Sequence, residues 1–324
     1  LDNTAPTQKR FTRFAWGVLV YNLVVILWGA LVRATGSGAG CGAHWPLCNG
    51  EALPGLTEAH RIIEFLHRAS VFVGIVLVAA IWWQSKRLFE KGHPARRGAF
   101  WSGIFTFSES MIGAALVLFK LVAHDDSAYR AVATSAHLIN TFFLVATLTL
   151  TAWWSAGYPG FTWRGQKAVA ALIGIALLVT LIVGASGAVT ALGDTLFPAA
   201  SRGELGAHVS ATAHFLKRLR VVHPYMAVSA AVYCVIAGWL IAAMRPSPQA
   251  KNFAYLISLL FVAQIGAGFL NLLLLAPLGM QLVHLLLADA VWICLVLLAA
   301  SALAEGAPRV SLAFGKRASV EGVQ

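Results

Sequence analysis

Four histidines, His67, His137, His223 and His284, stand inside apolar runs, where an ionisable side chain is costly and marks a functional position by default. One histidine on each of four helices, taken as two pairs, suits one chemistry in particular. Two neutral imidazoles can ligate a heme iron from opposite sides while the flat macrocycle fills the interior of a helix bundle. Singly, each reads more readily as a hydrogen-bonded core histidine; four at matched positions favour ligands. Zinc fits them less well, because Cys or carboxylate partners are missing except beside His67. There the sequence is EFLHR, residues 64–68, which puts Glu64 three residues before His67 on the same helix face. The matching position before His223 is Arg220. A carboxylate next to one pair and a cation next to the other imply unequal halves. Glu64 could accept protons or stabilise a cationic intermediate during oxidation; pairing with Arg61 or Arg68 is the plainer alternative. His60, on the same face at the membrane edge, reads as solvated.

These side chains must be positioned by helices in a bilayer. Of the 324 residues 59% are hydrophobic and 11% charged, against about 25% charged in soluble domains. Eight runs approach the roughly 20 residues that cross a hydrocarbon core, at about 14–33, 62–82, 99–119, 131–154, 168–189, 222–243, 253–274 and 280–303. The first has the basic flank of a signal peptide, yet it carries Trp16 and Trp28 and no A-x-A site follows, so it reads as a span. The chain opens on leucine, consistent with a trimmed N-terminus. With the N-terminus placed in the cytoplasm, fifteen of the 24 Lys and Arg lie on that side. The expectation is a multi-pass protein of the cell (inner) membrane, both termini cytoplasmic and the histidines toward the outer face. The net charge of +11 reads as topology and contact with the lipid bilayer. The basic residues are dispersed, so no nucleic acid partner is expected.

A repeat organises the spans. Gly29-Ala30 is answered by Gly184-Ala185, His67 by His223, Ile112-Gly113-Ala114 by Ile265-Gly266-Ala267, and His137 by His284. Each half has an even number of spans, so both enter the membrane in the same sense. The expected fold is an all-α membrane protein of eight transmembrane helices. It forms two parallel-repeat four-helix bundles, residues 1–155 and 156–324, related by a pseudo-twofold along the membrane normal. A transporter would show an inverted repeat and broken helices instead.

On the outer side the first half has the stretch SGAGCGAHWPLCNG, residues 37–50. Cys41 and Cys48 in an oxidising compartment are expected as a disulfide, worth roughly 2–3 kcal/mol for so short a loop. A stapled shield over the site, a redox role, and a metal site using Cys41, His44 and Cys48 with His60 all stay open. Cys234 and Cys294 lie mid-span and read as small buried apolar residues. In the second half GELGAHVSATAHFLKRL, residues 203–219, could lie on the surface as an amphipathic helix. Glu109, Gln264 and Asp289 could form a proton path or hydrogen bonds between helices. Arg130, Lys217, Arg218 and Arg220 stand where heme propionates would point, or where lipid headgroups would.

The stretches WGALVRATGSGAGC, HWPLC, RIIEFLHR, TSAHL, VVHPYMA and QLVHLLLADA together resemble the CtaA family of heme A synthases over essentially the whole chain. Any one of them alone is weak; the combination is specific. The resemblance implies an oxidoreductase that hydroxylates the C8 methyl of heme O successively, with loss of water to the formyl group of heme A, for cytochrome oxidase. It implies heme O as substrate between His67 and His137, with Glu64 as acid/base or charge stabiliser. It also implies heme b as cofactor between His223 and His284, structural or passing electrons. Implied partners are heme O synthase and cytochrome oxidase assembly factors; whether the chain forms a homo-oligomer is left open by the sequence. Some relatives carry a second cysteine pair in the third outer loop; residues 190–220 have none, which weakens a relay needing both. A bis-histidine iron has no open position, so chemistry at the iron requires one ligand to leave. The residues alone leave a second reading open, a di-heme b electron-transfer cytochrome without substrate chemistry, which needs neither Glu64 nor the cysteine loop.

Overall fold

A computed structural model describes residues 4–55, 57–162, 165–199, 214–304 and 306–307. Among the described residues eight α-helices follow one another: α1 Thr4–Ala34, α2 Ala59–Leu88, α3 Pro94–Leu118, α4 Ala128–Ser155, α5 Lys167–Leu196, α6 Phe215–Met244, α7 Pro248–Leu273 and α8 Leu278–Ala302. All eight are long and apolar enough to span a membrane. The only β contacts among the described residues are two isolated bridges.

The helices run past the limits of the apolar runs because those runs mark only the hydrocarbon layer. The added turns carry basic side chains whose stems lie on apolar surface. Lys86 Nζ sits 3.5 Å over the Trp82 ring and the Arg87 guanidinium 3.8 Å over Trp83. Local chemistry sets the starts. Ser127 and Ser247 cap α4 and α7 by accepting from the backbone N–H of Arg130 and Ala250, and Pro94 and Pro248 occupy first turns. His93 caps α3 through its Nδ1; burial first, then Arg97, holds its imidazole below the usual range.

Because α6 begins at Phe215, residues 215–219 of the expected surface helix are instead the start of a spanning helix; residues 203–213 of that stretch lie outside the described residues. The earlier start also corrects the depth of one histidine. The apolar runs alone put His223 and His284 nearer the surface than His67 and His137; from the helix starts, His67 and His223 each stand eight residues in, His137 nine and His284 six, so His284 stays the shallowest. At 1.5 Å per residue all four lie about 9–14 Å in.

Helices α1–α4 close a ring in sequence order, and so do α5–α8; the rings meet through α1, α4, α5 and α8. The dense core occupies the end that carries the N-terminus, with Phe11, Ile81 and Leu148 in the first ring and Ile173, Ile241 and Leu298 in the second. Cys234 and Cys294 are buried there as free thiols. Across the seam, Trp292 of α8 stacks on Phe142 of α4 at 5.0 Å and donates to its carbonyl at 2.6 Å.

Candidate functional site

Toward the other end, the two rings enclose one cavity of about 1210 Å³, larger than the roughly 300–1,000 Å³ usual for a single small molecule. All four histidines line it, together with Glu64, Glu109, Arg33, Arg130, Asp194 and Arg220. His67 and His137 reach it from the first ring, on α2 and α4, and His223 and His284 from the second, on α6 and α8.

Each histidine lies against a glycine of the preceding helix. A β-carbon on Gly29 would meet His67 Cε1 at 3.1 Å, one on Gly187 would meet His223 Cε1 at 3.0 Å, and one on Gly268 would meet His284 Cε1 at 3.0 Å. At Gly113 it would stand 3.7 Å from His137 Nε2. The missing side chains let the imidazoles stand against the neighbouring backbone. This corrects the expected register of the repeat. The counterpart of Gly29 at a histidine is Gly187, whereas Gly184 faces Phe142 and Leu138; the counterpart of Gly113 is Gly268, whereas Gly266 faces open space.

The surroundings of the four rings differ. His67 Nδ1 is buried with no hydrogen-bond partner among the described residues. His137 Nδ1 lies 2.7 Å from Glu109 Oε1, off the in-line direction of its N–H. His223 Nδ1 is 2.8 Å from Ser186 Oγ, and His284 Nε2 is 3.3 Å from the Gln264 amide nitrogen. Glu109 is itself held from α4, by Asn140 Nδ2 at 2.5 Å and by the Thr141 hydroxyl. Glu109 and Gln264 thus bond between helices as the second sequence reading has it, and each also reaches a histidine. That contact was not legible, since the sequence does not say which face of α3 or α7 turns toward the next helix. Asp289 is fully buried with neither oxygen hydrogen-bonded among the described residues.

Glu64 is engaged with the cysteine loop. Its Oε2 accepts the Cys41 N–H at 2.8 Å and its Oε1 accepts Arg68 Nη2 at 2.6 Å. Arg68 also donates to the carbonyls of His44 and Leu47, at 2.7 and 2.6 Å. Cys41 and Cys48 are disulfide-bonded and buried, so neither is a thiolate for a metal site with His44. Trp45 to Cys48 line the cavity. Arg61 turns away to Glu58 and the Gly55 carbonyl. His60, although exposed, contacts Ser37 Oγ through Nδ1 at 3.0 Å.

Of the four expected outer cations, Arg130 and Arg220 line the cavity; Lys217 and Arg218 do not. Arg130 donates to the Ala123 and Asp125 carbonyls, and Arg220 pairs with Asp194 at 2.6 Å. Arg33, not singled out from the sequence, donates to Ala191 O, Thr195 Oγ1 and Gln281 Oε1, joining α1 to α5 and α8.

Fold and site together define a polytopic helical membrane protein whose two four-helix rings share a histidine-paired internal cavity. Residues 12–296 match the COX15-CtaA family, described as cytochrome oxidase assembly protein, and the chain belongs to that family. It is 50% identical over 97% of its length to a protoheme IX farnesyltransferase of Thermus thermophilus, 52% of which it covers. It spans about half the length of that relative and of its counterpart in a second strain of the same species. Over 27% of the chain it is 41% identical to a heme A synthase of Symbiobacterium thermophilum, and over 30% it is 40% identical to one of Bacillus mycoides, covering 28% and 31% of those proteins.

Proposed function

We propose that this chain is a heme A synthase, oxidising the C8 methyl of heme O to a formyl group by successive hydroxylations and loss of water. The observation that carries the reading is one cavity lined by two histidine pairs, with carboxylates beside one pair and Arg220 and Gln264 in the matching places beside the other. The donor set fits heme. The imidazoles are backed by glycines, and among the described residues His67 and His284 keep a buried Nδ1 without a hydrogen bond. His67 and His137 would hold heme O as substrate, and His223 and His284 would hold heme b as the resident group. When bound, the hemes supply the redox chemistry and the path for electrons.

The chain's own residues do the rest. The glycine-backed imidazoles orient the macrocycles, and the loop from Trp45 to Cys48 limits water at the N-terminal pair. Both Glu64 oxygens already carry donors. This supports a charge-stabilising role, in which its carboxylate favours positive charge developing on the substrate, over proton exchange. In the proposed topology the cavity faces the outer side of the inner membrane, with both termini in the cytoplasm.

The test is mass spectrometry of heme extracted from the chain co-expressed with a heme O synthase. Heme A from the wild type and heme O or a hydroxylated intermediate from Glu64→Gln are expected. Only heme b despite a heme O supply would instead establish the electron-transfer cytochrome. Heme O made without any added synthase would establish farnesyl transfer, the activity in the name of the longer Thermus relatives.

A further inference from the structure

The geometry points to Glu109 as a positioning residue that would hold His137 as the fixed heme-binding histidine of the N-terminal pair, leaving His67 as the exchangeable one. This rests on the reading that the N-terminal pair holds heme O, and it names how that site can open.

The argument is one of unequal support. A ligating histidine whose second nitrogen faces a carboxylate is more basic and better oriented than one without such a partner. His137 has that carboxylate 2.7 Å from Nδ1, a close charge contact rather than an in-line hydrogen bond. The carboxylate is fixed in turn: Asn140 and Thr141 donate to it, and Asn140 is held by the Phe105 carbonyl at 2.9 Å and by Ser108 Oγ at 2.6 Å. The chain of contacts binds α3 to α4 immediately behind the ligand. His67 has the opposite setting. Among the described residues its buried Nδ1 has neither a hydrogen bond nor a carboxylate contact, and the nearby acid, Glu64, is turned onto the Cys41 N–H and Arg68.

The second ring supplies the comparison. Glu109 stands four residues before Gly113, the glycine facing His137; Gln264 stands four residues before Gly268, the glycine facing His284. At equivalent places the N-terminal ring has an anion and the C-terminal ring a neutral amide. Among the described residues a carboxylate contact is thus confined to one of the four histidines, on the side assigned to the substrate. A site that must free a coordination position needs one strong ligand and one weak one, whereas a site that only holds a resident heme does not.

The test uses full-length protein purified with heme O from a co-expressed synthase, with heme b on His223 and His284 as the internal control for folding. His67→Ala is expected to keep heme O as a five-coordinate, high-spin species, whereas His137→Ala loses it. Glu109→Gln, with both histidines intact, is expected to hold heme O roughly ten- to a hundredfold less tightly. It should also raise the reduction potential of that heme alone, because a less electron-donating ligand favours the ferrous state. Equal loss of heme O from the two histidine variants, with heme b retained, would overturn the proposal. So would Glu109→Gln with unchanged retention and potential. Should either histidine variant fail to keep heme b, the potential of Glu109→Gln decides alone. If the double variant His67→Ala/His137→Ala binds heme O like the wild type, it is the ligand assignment beneath the proposal that falls.

Discussion

At the scale of single residues, Glu64 shows how a motif acquires its meaning from its hydrogen bonds. The E-x-x-H spacing places a carboxylate near a ligand, but Arg68, four residues on from Glu64, turns that carboxylate to the cysteine loop. A charge-assisted hydrogen bond is worth about 1.5–3 kcal/mol net, and Arg68 makes three contacts that close the loop over the cavity. Arg68→Ala is therefore expected to open the loop at least about tenfold more often. The check is the rate at which a small water-soluble thiol reduces the Cys41–Cys48 bond, which should rise by about that factor; an unchanged rate would show that the disulfide loop holds its place without Arg68.

At the scale of elements, the pairing of each histidine with a glycine one helix back limits what the helices can carry. Alanine is the better helix former by about 0.8–1.0 kcal/mol, so Gly→Ala should stabilise where space allows. At Gly187 the new methyl would press on His223 at 3.0 Å, and overpacking of this kind costs about 1–3 kcal/mol. Gly187→Ala is expected to lower the heme content of the C-terminal site about tenfold or more. Gly174→Ala on the same helix meets nothing within 4 Å and should leave it unchanged. Heme-to-protein ratios of the two purified variants decide. Pro224 is a second constraint on this element. It cannot donate to the Arg220 carbonyl, so α6 lacks one backbone bond directly beside the ligand position.

At the scale of the whole molecule, the halves are joined by a packed seam and a polar bridge. Phe142 and Trp292 stack across the seam, and Arg33 ties α1 to α5 and α8 at the cavity. Asp289 lies one turn before Trp292, fully buried and without a hydrogen bond among the described residues. Leaving such a group unsatisfied costs about 1–3 kcal/mol, and an apolar replacement of similar shape removes that cost. Asp289→Leu is expected to raise the unfolding midpoint in a fixed detergent, and Asp289→Asn, which keeps a buried polar group, to change it little. A lower midpoint for Asp289→Leu would show that the carboxyl has a partner that matters for folding. Arg33→Ala should lower the midpoint, because it leaves Gln281 and Thr195 without their donor across the seam.

Much of this was legible from the chain alone, for physical reasons. Hydrophobic length sets the number of spans because the bilayer admits only segments that satisfy their own backbone. Ionisable residues within those spans stand out against the apolar background, so all four histidines, Glu64, Glu109 and Asp289 were visible as positions. The cysteine pair was visible because its spacing allows one short loop. What the sequence could not determine were relations between helices. The direction of Glu64, the contact of Glu109 with His137, the glycine behind each ring, the depth of His223 and the bridge made by Arg33 depend on helix rotation and on where helices begin. Those are decided by packing between segments far apart in the chain, and only the tertiary structure contains them.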